Sequence, residues 1–107
     1  MLTIDDFAKV ELRVAQVVEA KPHPNADKLL VLQVDLGDER RQIVAGIRAH
    51  YAPEQMVGKR IVIVANLQPA KLRGIESQGM LLAASDEEGR LALVTPERII
   101  APGGRVK

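Results

Sequence analysis

The chain has 107 residues, enough for one domain with one core, residues 1–107. Apolar residues make up 47% of it, yet the only aromatics are Phe7 and Tyr51, so Val, Leu, Ile and Ala must fill the interior. With no cysteine there is neither a disulfide framework nor a thiolate metal site, and no apolar run approaches the roughly 20 residues that span a bilayer. Acidic, helix-capping sequence follows Met1 in place of a basic and apolar leader, so the expected setting is cytoplasmic.

In chain order, Thr3 and Asp6 stand in capping-box spacing and predict one short helix. The stretch ELRVAQVVEAK is rich in β-branched residues and predicts a first strand, with Leu12, Val14 and Val17 on one face, ending at Pro22-His23-Pro24. PNAD is a predicted turn and KLLVLQVDL a second strand, on which Leu30, Leu32 and Val34 alternate. Gly37-Asp38 turns a hairpin into the third strand, RRQIVAG. Pro53 opens a short helix, PEQMV, that Gly58 closes. KRIVIVANL is a fourth strand, too continuously apolar to have an exposed face. After a loop through residues 66–80, GMLLAAS is the fifth strand, DEEG a turn and RLALVT a sixth, while the tail ERIIAPGGRVK has no clear period. Short strands without a repeat, and a helix between the third and fourth, predict an all-β fold. The best match is a five-stranded oligonucleotide/oligosaccharide-binding barrel with C-terminal extension strands; a small β-sandwich is the alternative.

The net charge of +1 hides a strong asymmetry. Residues 1–39 carry four Lys/Arg against eight Asp/Glu, whereas residues 40–73 carry seven Lys/Arg against Glu54 alone. A local positive field of that kind attracts anionic partners whatever the total. Catalytic chemistry finds little support. His23 and His50 lie in different segments, and His23, between two prolines, is expected to be a solvated loop residue. Ser77 in GIESQG lacks the glycine two positions before it that a nucleophile elbow needs, and no His/Asp partner is evident. No catalytic residue, metal site, cofactor or small-molecule substrate is expected.

The segment NLQPAKLRGIESQGM, residues 66–80, points instead to binding. If it is extended, Lys71 and Arg73 project to one side. Gly74 and Gly79 admit close approach of backbone to a ligand, and Asn66 and Ser77 offer short hydrogen-bonding groups to phosphate or sugar oxygens.

DDFAKVELRV, HPNADKLLVLQVDLG, QIVAGIR, GKRIVIVANLQPAKLRGIESQGMLLAAS and PGGRVK together resemble one family over essentially the whole chain. It is the tRNA-binding domain found at the C-terminus of bacterial methionyl-tRNA synthetases and as free-standing tRNA-binding proteins, related to the endothelial monocyte-activating polypeptide II domain. The resemblance implies a homodimeric oligonucleotide-binding barrel that binds tRNA by shape, beside a synthetase catalytic domain that lies elsewhere. It assigns tRNA contacts to Asn25 and Lys28 in the first turn and to Lys71, Arg73 and Ser77 in the long loop, with Met80 closing the motif. Arg41 and Arg48 of the basic third and Asn66 at the head of the loop complete the expected set. Many members carry a cation where this chain has Ala70. A related family of dimeric barrels, described as export-related peptide-binding chaperones, supplies an alternative function; a plain dimerisation module is a further one.

The scarcity of aromatic rings agrees with recognition by shape, because sequence-specific single-strand binding stacks bases on such rings. Ile99 and Ile100, followed by Pro102, are more apolar than a free tail, and a two-fold interface with Phe7 is expected there.

Overall fold

The computed structural model describes residues 1–107. Helix α1 (Ile4–Phe7) begins with the predicted capping box: the Asp6 N–H donates to the Thr3 hydroxyl at 3.1 Å and the Thr3 N–H to the Asp6 carboxylate at 3.2 Å. The strands that follow are β1 (Leu12–Pro22), β2 (Leu30–Asp35) and β3 (Arg40–Ala45). After the short helix α2 (Pro53–Met56) come β4 (Arg60–Val64), β5 (Ala70–Leu72), β6 (Ile75–Ser77), β7 (Met80–Leu81), β8 (Ala83–Ser85), β9 (Leu91–Leu93) and β10 (Arg105–Val106).

The main sheet runs β3-β2-β1-β4-β7, antiparallel throughout, with β10 added on β1. The long strand β1 makes this possible. Its first half, Leu12–Gln16, pairs with β4 and its second half, Gln16–Pro22, with β2, and an irregularity between Val17 and Glu19 lets it bend from one to the other. The far edges meet where the Gln78 N–H donates to the Gln42 carbonyl at 2.7 Å. The result is a nearly closed five-stranded antiparallel barrel with few, short helices, the expected oligonucleotide-binding type. No helix is long and apolar enough to cross a membrane.

Strand parity decides what fills it. Leu30, Leu32 and Val34 of β2 point inward with Ile43, Ile61 and Ile63, and Met56 of α2, fully buried, plugs one end. Burying each such side chain contributes about 1.5–3 kcal/mol. Val17 lies in this core together with Ala15, so it does not share a face with Leu12 as expected. Leu12 packs outside the barrel with Val62 and Val64, covered by Leu82 and Val106. Both faces of β4 are thereby buried, which accounts for its unbroken apolar run.

The predicted strand GMLLAAS divides. Met80–Leu81 pair with β4, whereas Ala83–Ser85 turn away to pair with β9, a change of partner that no alternation of residues announces. The β8–β9 turn is fastened by Asp86, whose carboxylate accepts from the Arg90 guanidinium at 2.6 Å and is held below the usual aspartate pKa by that bond. The tail returns to β1: Gly103 donates to the Val14 carbonyl at 2.7 Å, and Val14 donates back to Gly104 at 2.8 Å. Gly103, at φ 93°, lies too close to the Leu36 carbonyl to carry a side chain.

Candidate nucleic-acid interface

Residues 66–80 are not an open loop. Within them β5 and β6 pair as a hairpin, Ala70 opposite Ser77 and Lys71 opposite Glu76, around a two-residue turn at Arg73 (φ 53°) and Gly74 (φ 90°). Two positive φ angles in succession are the signature of the tight turn whose twist matches antiparallel strands. Glycine adopts it freely, whereas a left-handed arginine costs about 1–2 kcal/mol. Lys71 and Arg73 therefore do not share one extended segment, the condition for their expected projection to one side: Lys71 stands on β5 and Arg73 on the turn.

The turn reaches across to the segment Pro24–Leu29. There the His23 N–H donates to the Leu29 carbonyl at 3.0 Å and Leu29 donates to Ala26 at 3.3 Å, folding the segment on itself. The Arg73 guanidinium donates to the Asn25 carbonyl at 3.1 Å, and Asn25, Lys28, Leu29 and Arg73 border one open cleft of about 370 Å³. Arg48 joins through its backbone N–H, which donates to the Lys28 carbonyl at 3.3 Å. Asn25, Lys28 and Arg73 thus border one cleft although 48 positions separate the bonded pair Asn25 and Arg73, with the backbone of Arg48 tied to Lys28 and Lys71 two residues from Arg73 on β5. None of the four cations is in an ion pair.

The remaining expected contacts lie elsewhere, and three have structural duties. Ser77 is only 5% exposed; its hydroxyl accepts from the Val44 N–H and donates to the Gly79 carbonyl, both at 2.9 Å. Asn66 bridges to the N-terminal segment, accepting from the Glu11 N–H at 2.8 Å and donating to the Lys9 carbonyl at 2.6 Å. Arg41 donates to the Ala65 and Gln78 carbonyls and pairs with Glu39 at 2.9 Å. Their residue types suggested ligands, but each side chain is bonded to backbone groups of its own chain. Met80 is half exposed on β7 beside Val64. Elsewhere in the basic third, Arg60 donates to the Ile100 carbonyl at 2.9 Å and the Lys59 ammonium lies 5.9 Å from the Tyr51 ring centre.

Replacing Ser77 by alanine strands the buried Val44 N–H and should cost about 1–3 kcal/mol of stability. Denaturant unfolding should record that loss, with nucleic-acid affinity of the folded protein unchanged.

His23 departs most from expectation. It is 2% exposed, not solvated, and both ring nitrogens are bonded, Nδ1 to the Asn25 N–H and Nε2 to the Leu72 carbonyl, each at 3.0 Å. A histidine between prolines carries no sequence signal of burial; the clue lies in the hairpin that covers it. No three His, Asp or Glu side chains come together to hold a metal ion.

Fold and surface together define a small oligonucleotide-binding barrel with a cationic, aromatic-poor rim. The chain belongs to the putative tRNA-binding domain family, whose model matches residues 12–105. It is 62% identical over 105 residues to the methionine–tRNA ligase of Thermotoga maritima and 58% identical over 106 residues to that of Methanococcus aeolicus. These matches cover 98% and 99% of the chain but only 16% of each ligase. Among solved structures, a protein of Pyrococcus horikoshii described as related to methionyl-tRNA synthetase superposes with a TM-score of 0.94 at 38% identity, covering 100% of this chain and 98% of that one. The chaperone CsaA of Bacillus anthracis superposes with a TM-score of 0.90 at 29% identity, covering 100% and 99%.

Proposed function

We propose that this chain is a non-catalytic module that binds tRNA by shape and charge, as a homodimer, and assists a methionine–tRNA ligase as a part of it or beside it. The observation that carries the reading is the cleft bordered by Lys28 and Arg73 from two distant segments, with Arg48 tied to Lys28 through its backbone and Lys71 on the strand that leads to Arg73. Cations free of carboxylate partners are what a polyanionic backbone requires. Ser77, Asn66 and Arg41 support the scaffold, and the proposed contacts reduce to Asn25 and these four.

Recognition of backbone and shape rather than base identity is supported by where the two aromatic rings lie. Tyr51 is half-buried, its hydroxyl accepting from the Leu93 N–H at 3.2 Å, and Phe7 sits on α1 among apolar residues. Neither offers a stacking platform beside the basic cleft. The direct test compares three ligands in one titration: total tRNA, plain duplex RNA and an unfolded polypeptide. Tightest binding to tRNA supports the proposal, and equal affinity for tRNA and duplex contradicts recognition by shape.

An exposed apolar surface supports the homodimer. Ile4, Phe7 and Val10 border a groove of about 250 Å³ with Arg105, Val106 and Lys107. A second groove shares those last three residues and continues to Pro96 and Ile100, while Ile99 beyond it is 83% exposed. Pro102 is half-buried, its carbonyl against Gly37 of its own chain, and the proposed interface is drawn without it. The double substitution Phe7→Asp/Ile99→Asp should weaken association by at least a hundredfold, since apolar anchors at an interface centre dominate its energy. Sedimentation should then find a folded monomer; a persistent dimer would place the interface elsewhere.

A second reading, polypeptide binding, has one observation of its own. Leu67, Leu72 and Met80 are exposed in and around the β5–β6 hairpin, at 45, 39 and 50%. Polypeptide retention that survives removal of Lys71 and Arg73 would favour it.

A further inference from the structure

We infer that His23 is the positioning residue that locks the Pro24–Leu29 segment and the β5–β6 hairpin into one binding surface, an inference that rests on the tRNA reading above. Its two bonds run to the two halves of that surface. Nδ1 accepts from the Asn25 N–H, so its lone pair is engaged and the ring proton resides on Nε2, which donates to the Leu72 carbonyl. Leu72 is followed by Arg73, whose guanidinium returns to the Asn25 carbonyl at 3.1 Å. Imidazole, hairpin turn and loop thus close a ring of contacts around a residue that is 2% exposed.

The hairpin needs such a lock. Only β6 is tied to the barrel wall, through Ser77 to Val44 and through the Glu76 carbonyl to the Gln42 amide at 2.7 Å. Strand β5, which carries Lys71, is exposed along its length and pairs with no strand but β6. On its outer side, the Leu72 bond to His23 and the Arg73 bond to Asn25 are its ties to the rest of the chain. Released from the imidazole, the hairpin would keep only the exposed Arg73 bond to Asn25 on that side, and each binding event would have to order Lys71 and Arg73 against Lys28 again.

The two bonds separate by substitution. Asparagine at 23 keeps an oxygen near the Nδ1 position for the Asn25 N–H but is too short to reach Leu72. Glutamine places an amide nitrogen near the Nε2 position and keeps the tie to the hairpin. His23→Asn is expected to weaken tRNA binding by about tenfold, as the ordering of a freed hairpin requires, and His23→Gln by less. A purely structural role would weaken binding without touching the worth of Lys71. Under the positioning role, Lys71→Ala is expected to reduce affinity by a smaller factor in His23→Asn than in the wild-type chain.

Equal tRNA binding by wild type and His23→Asn overturns the inference, as does an unchanged factor for Lys71→Ala in the two backgrounds. Should His23→Asn fail to fold, nitrogen NMR of the wild-type protein decides. A slowly exchanging Nε2–H proton and protected β5–β6 amides support the lock, and a proton on Nδ1 or a rapidly exchanging ring overturns it. Wild-type protein that binds no tRNA overturns the functional reading itself, which the NMR result distinguishes from failure of the lock.

Discussion

Replacing Lys71 and Arg73 together by alanine is expected to weaken tRNA binding roughly a hundredfold at moderate salt, because each charged hydrogen bond to phosphate contributes about 1.5–3 kcal/mol. Both side chains are exposed, and neither belongs to the core. The loss should be uniform across tRNA species, and the slope of log affinity against log salt should fall by about two, one for each phosphate contact removed. Ala70, on β5 beside Lys71, is exposed and uncharged, so Lys71 and Arg73 are the only cations the hairpin offers. Filter retention of labelled tRNA over a salt series gives both numbers. The proposed dimer should be unaffected, since Phe7 and Ile99 lie in other segments. Unchanged affinity in the double variant would remove the hairpin from the binding surface.

The second large effect concerns stability. Gly79 follows the seam that closes the barrel; its φ of 141° is one that side chains rarely adopt. An added Cβ would stand 2.8 Å from the Val64 carbonyl and 3.1 Å from Ile43 Cδ1. The Gly79 carbonyl also receives the Ser77 hydroxyl that holds β3, so the clash falls on the seam itself. Gly79→Ala should cost about 3 kcal/mol, combining backbone strain with overpacking. For a domain of this size that lowers Tm by about 15 °C. Gly74→Ala is the matched control. Gly74 also has positive φ, at 90°, but nothing lies within 4 Å of its added Cβ, so about 1 kcal/mol is expected. Thermal unfolding of the pair separates seam from turn; equal melting would show that close approach at Gly79 is unimportant.

The parts of the fold that were legible in the sequence follow from local rules. Alternation of Leu30, Leu32 and Val34 gave an inward face, Thr3 and Asp6 gave a capping box, and Pro53 and Gly58 bounded α2. What escaped depends on partners distant in the chain. The β5–β6 hairpin consists of two three-residue strands around Arg-Gly, and arginine is not a usual first residue of a tight hairpin turn. Strand 80–85 changes partner at Leu82 without any break in composition.

The site divided in the same way. The family resemblance singled out Asn25, Lys28, Lys71 and Arg73, and the structure brings Asn25, Lys28 and Arg73 to one cleft with Lys71 on the adjoining strand. Residue types could not tell a serine or asparagine facing phosphate from one completing the barrel's own hydrogen bonds, because Ser77 and Asn66 suit both tasks. Arg41 shows the same ambiguity for charge: its guanidinium serves two carbonyls and a carboxylate within the chain. His23 had no signal at all, since its Nε2 partner, the Leu72 carbonyl, lies 49 positions away.

The central claim is that a cationic surface built from the Pro24–Leu29 segment, Arg48 and the β5–β6 hairpin holds the tRNA backbone. It is tested most directly by the salt dependence of tRNA affinity in the unmodified protein. Four unpaired cations per chain predict a linear decline of log affinity with log salt, of slope about −3 to −4 for each chain engaged. A slope near zero, with binding retained in high salt, would contradict the account.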